Sequence, residues 1–76
     1  MKELVEVIAK ALVEHPEEVE VREVEKGRSL IVKLHVAPSD MGKVIGRQGR
    51  IANAIRSVVK AASAKDSRRV IVDIED

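Results

Sequence analysis

The chain has no cysteine and no phenylalanine, tyrosine or tryptophan among its 76 residues. Without cysteine it has no disulfide, no thiol chemistry and no thiolate metal site, and no sign of an oxidising compartment. Without aromatics it lacks the stacking platforms of RRM domains and many OB-folds. Stacking contributes about 1–3 kcal/mol per base, so any nucleic-acid binding here is expected to be of modest affinity. Its two histidines, His15 and His35, make no convincing metal set, and none is expected. Ser39, Ser57 and Ser63 have no evident histidine partner for nucleophilic catalysis. No apolar run approaches the roughly 18 residues of a membrane span, so no membrane association is expected. The N-terminal residues already follow a charged helical pattern rather than that of a signal peptide, which makes the cytoplasm the expected location.

What is present is a balanced mixture, 45% hydrophobic and 36% charged, which predicts a folded chain rather than a disordered one. The length suits one domain, residues 1–76, with one modest core. The formal charge of +1 hides an asymmetry. Residues 1–26 carry a net −4, residues 27–40 a net +1, residues 41–69 a net +7 and residues 70–76 a net −3. The basic block suits a polyanion footprint; the alternative is a solvated charged face.

Taken in order, residues 2–14 read as a helix with Leu4, Ile8, Ala11 and Leu12 on its apolar side. His15-Pro16 ends it, since a residue before proline disfavours helix. Residues 19–25 alternate and then slip at Glu23-Val24, which predicts a strand that is bulged or at an edge. Lys26-Gly27-Arg28 is a turn. Residues 30–36 form a second strand, with Leu30, Val32, Leu34 and Val36 on one face, and the two strands pair as a hairpin. Ser39 or Asp40 can cap a short helix through Val44-Ile45. Gly42 either weakens that helix by about 1 kcal/mol or marks close packing. A long helix over residues 50–64 and a last strand over 70–75 complete an α-β-β-α-α-β order. The expected fold is α+β, a three-stranded mixed sheet with three helices on one face, its second and third strands parallel across the helical crossover.

Between the two central helices lies Val44-Ile45-Gly46-Arg47-Gln48-Gly49-Arg50-Ile51. Glycine opens backbone conformations closed to other residues and lets another backbone come close. A tight loop opening a helix presents N–H groups and the positive end of the helix dipole, a setting for phosphate. Arg47 and Arg50 add charge. No enzyme motif competes: Gly42-Lys43-Val44-Ile45-Gly46-Arg47 lacks Walker spacing. A dinucleotide fold wants its glycines directly after a strand, whereas a helix precedes these.

The run V-I-G-R-Q-G-R-I resembles the signature of the K-homology (KH) domain, whose GXXG loop clamps about four nucleotides of single-stranded nucleic acid. Here GXXG is Gly46-Arg47-Gln48-Gly49. The element order resembles the type II, prokaryotic KH fold over the whole chain. Length and order together resemble the small stand-alone bacterial KH proteins of the KhpA (YlqC-like) family. The resemblance implies a non-catalytic protein that binds single-stranded RNA without a cofactor. By this resemblance it is an RNA chaperone or post-transcriptional regulator with effects on cell-wall homeostasis and cell shape. It also implies a homodimer, or a pair with a larger KH protein of the KhpB type.

The expected RNA-contacting residues are Lys43, Ile45, Gly46, Arg47, Gln48, Gly49, Arg50, Ile51 and Arg56. For Ile45 and Ile51 two roles stay open, core or groove floor. In KH grooves the adjacent strand reads bases with its backbone, which by resemblance falls near Val70 to Val72. Arg56 and Lys60 lie one turn apart and can follow the nucleic-acid backbone or merely be solvated. Arg68 and Arg69 either flank the groove or keep a strand end soluble. The long helix carries an apolar stripe wider than the ~100° that one sheet face needs. Ile55, Val58, Val59 and Ala62 are therefore expected at a partner interface, with a deeply set helix as the alternative. Two further readings remain: a dimeric adaptor with only residual RNA binding, and a helix-turn-helix DNA binder. The second is disfavoured by the two loop glycines and by Ile51 at the start of the helix.

Overall fold

The computed structural model describes residues 1–75, with the side chains of Arg47 and Gln48 outside the description. Helix α1 spans Lys2–Leu12, and a 3-10 turn covers Pro16–Glu18. Strands β1, Glu20–Lys26, and β2, Ser29–His35, follow, then a helical run α2, Pro38–Ala62, and strand β3, Arg69–Glu75. The sheet order is β1-β2-β3, antiparallel between the first two and parallel between the last two. The hairpin closes on Lys26 and Ser29, leaving Gly27-Arg28 as a two-residue turn. Gly27 sits at φ 61°, the left-handed conformation that such turns require.

The run α2 is not one straight rod. Gly49 lies inside it at φ 64°, and a right-handed helix does not pass straight through a left-handed residue. Twenty-five residues of straight helix would extend about 37 Å, whereas the longest dimension of the whole fold is 34 Å. The run is therefore two limbs, 38–48 and 50–62, that turn at the glycine loop. With α1 they make three helices on one side of the sheet, and the α-β-β-α-α-β order holds.

Alternation in β2 builds the core. Leu30, Val32 and Leu34 are buried, while Ile31, Lys33 and His35 on the other face are half-buried. Val5 and Ala9 from α1, Val44 from the first limb, and Ala52, Ile55 and Val59 from the second cover that buried face. Several expectations shift. In α1 the buried face is centred on Val5 and Ala9, with Ile8 packed against the core, while Leu12 is exposed. Strand β1 is an edge strand, but its register with β2 is unbroken, so there is no bulge. The slip at Val24 arises because only Val21 is buried in β1 and the rest of the strand is exposed. Neither Ser39 nor Asp40 caps α2, whose N-cap is Ala37. Asp40 is instead 1% exposed, and its carboxylate accepts the amides of Glu14 and His15, both at 3.1 Å. It thereby ties the tail of α1 to the first turn of α2.

Candidate nucleic-acid interface

The first limb holds little of the core. Val44 is fully buried, but its neighbour Ile45 is 55% exposed. Gly42 and Gly46 have helical, not left-handed, backbone, and a Cβ built on either meets nothing within 4 Å. Nothing in the fold needs glycine there, and alanine would strengthen each helical position by about 1 kcal/mol. The close-packing alternative for Gly42 therefore gives way. Gly49 differs, because its φ of 64° suits glycine. Ile51 is half-buried and packs against the core, so of the two open isoleucines only Ile45 stands on the surface. Arg50 is exposed. The side chains expected of Arg47 and Gln48 lie outside the description. Lys43 is exposed and paired with Glu14, two residues past the end of α1, so a carboxylate already shares its charge.

Beyond the loop, the second limb and β3 form two walls of a groove of about 400 Å³. Arg56, Val59, Lys60 and Ser63 line it from the helix, and Arg69, Val70, Ile71 and Val72 from the strand. Arg56 lies six residues past Arg50, about 9 Å along the helix axis, so the groove continues from the loop. Backbone direction on β3 follows from two hydrogen bonds. The Arg69 amide donates to the Arg28 carbonyl at 2.8 Å, and the Glu75 carbonyl accepts the Val36 amide at 3.1 Å. Odd-numbered residues therefore address β2, and alternation turns the amides and carbonyls of Val70, Val72 and Ile74 to the outer edge.

Of the residues expected to contact RNA, Arg56 is the one that lines this groove among the described residues, and Lys60 and the Val70–Val72 strand, also read as groove elements, line it with Arg56. Sequence reasoning missed Val59 and Ser63 as groove residues. Their signal was the spacing Arg56, Val59, Lys60, Ser63, one edge of a helix at i, i+3, i+4 and i+7. The expected partner interface divides. Ile55 is 0% and Val59 2% exposed, so both are spent on this chain's own core. Val58 and Ala62 are exposed, together with Ala54 and Ala61. The core side of the helix is Ala52-Ile55-Val59, rotated from the centre that helical spacing predicts for the apolar stripe, Ile51, Ile55, Val58 and Ala62.

Electrostatic anchoring gathers at the loop that precedes β3. Hydrogen bonds from the Arg68 guanidinium, and then from its amide, hold the Asp66 carboxyl down at about 2. Arg68 also reaches Glu25 on β1 at 2.7 Å. Glu14, His15 and Asp40 bring ligand-type atoms within 4.8 Å of one another. The fold already uses them, since Asp40 accepts two amides and Glu14 pairs with Lys43.

The KhpA/KhpB KH-domain family model matches residues 2–74. An RNA-binding protein KhpA of Clostridium perfringens is 62% identical over 97% of this chain and 99% of its own length. The chain belongs to this family. A KhpA of Halalkalibacterium halodurans is 60% identical over the full length of both, and one of Aquifex aeolicus is 42% identical over 97% of this chain and 94% of its own. No solved structure matches. The KhpA/KhpB family is non-enzymatic. Its membership agrees with the absence of catalytic motifs and with a mixed sheet covered by helices on one side.

Proposed function

We propose that this chain binds single-stranded RNA, with the Gly46-Arg47-Gln48-Gly49 loop as the clamp on the phosphate backbone. The observation that carries this reading is Gly46, a glycine in helical backbone with open space where a side chain would be. A glycine that the fold itself does not require leaves room for another backbone to come close. Arg50 and Arg56 supply charge, Ile45 an apolar surface for a base, and the outward backbone of Val70 and Val72 the hydrogen-bonding edge. The relatives' name, RNA-binding protein KhpA, supports the ligand class. Action as an RNA chaperone or post-transcriptional regulator in the cytoplasm, with consequences for cell-wall homeostasis and cell shape, extends the same reading. The test is fluorescence anisotropy of short single-stranded RNA at two salt concentrations, with the wild type and Arg47→Asp/Gln48→Asp. Wild-type log K should fall with log salt at about −0.7 per neutralised phosphate. The folded variant should lose at least about tenfold in affinity. Equal binding by both proteins makes the loop a mere turn.

A second reading rests on the exposed face of Ala54, Val58, Ala61 and Ala62, small and apolar on an otherwise charged helix. It makes the chain an adaptor that pairs with itself or with a larger KhpB-type protein. Val58→Asp should then abolish pairing in sedimentation, while charge reversal in the loop leaves pairing intact.

A further inference from the structure

The groove does not end in open solvent. Arg69, at its far end, donates its amide to the Arg28 carbonyl. Beyond that bond lies a second hollow of about 440 Å³, lined by Gly27, Arg28, Ser67 and Arg68. Consecutive residues, Arg68 and Arg69, thus wall two adjoining hollows. Lys26, Ser29 and Arg69 share one register row at this end of the sheet, and Lys65 stands in the turn after α2. Two carboxylates of this end, Asp66 and Glu25, are both engaged by Arg68, and Glu23 acts on the same guanidinium. Among the described residues, Lys26, Arg28, Lys65 and Arg69 enter no ion pair. The wall of the hollow is preformed, because Arg68 pins the loop before β3 to the loop's own Asp66 and to β1.

We infer that this distal hollow is a second phosphate-binding site, taking the backbone of an RNA strand as it leaves the groove past Arg69. The inference rests on the reading of the groove as an RNA site and lengthens it beyond the four nucleotides that a GXXG loop clamps. The strand runs from the glycine loop, along α2 and β3, and onto Arg28 and Lys26 at the hairpin turn. Arg28 and Lys26 neutralise phosphates and read no base, so this part of the site is indifferent to sequence.

The test compares random-sequence single-stranded RNA of five and of twelve nucleotides on wild type, Lys26→Glu/Arg28→Glu and Lys26→Gln/Arg28→Gln. Thermal melting confirms that each variant is folded, and the neutral pair serves if the reversed pair is not. Extra registers on the longer strand raise its affinity for every variant alike, so the loss from wild type to variant is decisive. The twelve-mer should lose at least about fivefold, and its salt slope should shrink by about 1.4, the value for two phosphates. The five-mer should be unchanged within about twofold, for want of contacts to this end. Equal losses at both lengths would reduce the hollow to a diffuse field, and no loss at either would leave its charge for another ligand such as an acidic protein. Either result overturns the inference while the groove stands. Failure of wild type to bind either RNA removes the groove reading as well.

Discussion

The two limbs of α2 are continuous in sequence and differ in what they give the fold. The second limb sends Ala52, Ile55 and Val59 into the core. The first sends Val44 and the carboxylate of Asp40, and leaves Gly42 and Ile45 exposed. The second limb is a packing element whose outer edge happens to wall a groove. The first is a presentation element, held by Asp40 and Val44 and exposed at Gly42, Lys43 and Ile45. A small protein can keep a smooth, approachable surface this way, because the destabilising glycines sit where packing is not needed. Helix propensity is given up in one limb and the apolar burial of the other offsets it.

This contrast can be broken experimentally. Ile55→Ala removes a fully buried side chain and should cost about 2–5 kcal/mol in chemical denaturation. The same change at Val58, which is 38% exposed, should cost well under half as much; equal costs would mean that the helix is rotated from the orientation described. Among the described residues, Asp40 is the first limb's deep polar anchor. Asp40→Ala strands the Glu14 and His15 amides, and a loss of about 1–3 kcal/mol is expected. Hydrogen exchange should show those two amides deprotected first.

Gly49→Ala forces a Cβ into left-handed backbone and should cost about 1–2 kcal/mol. Gly46→Ala should leave stability unchanged or raise it by up to about 1 kcal/mol, yet weaken RNA binding. A Gly46→Ala variant that binds as well as wild type would remove the argument for close approach. The smallest effect concerns pH. The Asp66 carboxyl is lowered from 3.8 to about 2 in the fold. Its stabilising contribution is therefore complete above about 4 and lost as pH falls through about 2. Asp66→Asn should flatten the acid side of the stability curve in that window, and a carboxyl resonance near 2 should vanish with it.

Much of this was legible in the residues. The alternation of Leu30, Val32 and Leu34 has period two and one apolar face, so β2 and its orientation follow directly. The glycine loop and the crossover order followed from spacing. The helical faces were harder. In α1, apolar residues at Leu4, Val5, Val7, Ile8, Ala9, Ala11 and Leu12 cover so much of the wheel that two centres fit equally well. The packed one, Val5 and Ala9, is decided by what lies across from it. The wide stripe of the second limb misled in the same way, and Ile55 and Val59 went to the core rather than to a partner. Asp40 was beyond reach because its partners lie more than twenty positions away, on the tail of another helix. The groove likewise exists only once α2 and β3 are side by side.

The groove depends on the parallel pairing of β2 with β3, in which every partner is forty positions away in sequence. Such pairing closes a long loop before it gains any contact, which makes it slow to form. One groove wall comes from the middle of the chain and the other from its last strand. An RNA that touches both walls binds the folded chain and not the unfolded one. At a hundredfold excess over its dissociation constant such a ligand adds about 2.7 kcal/mol to stability by mass action. For a domain of this size that is a large share of the whole, and thermal stability becomes a reporter of occupancy: cargo and fold rise and fall together.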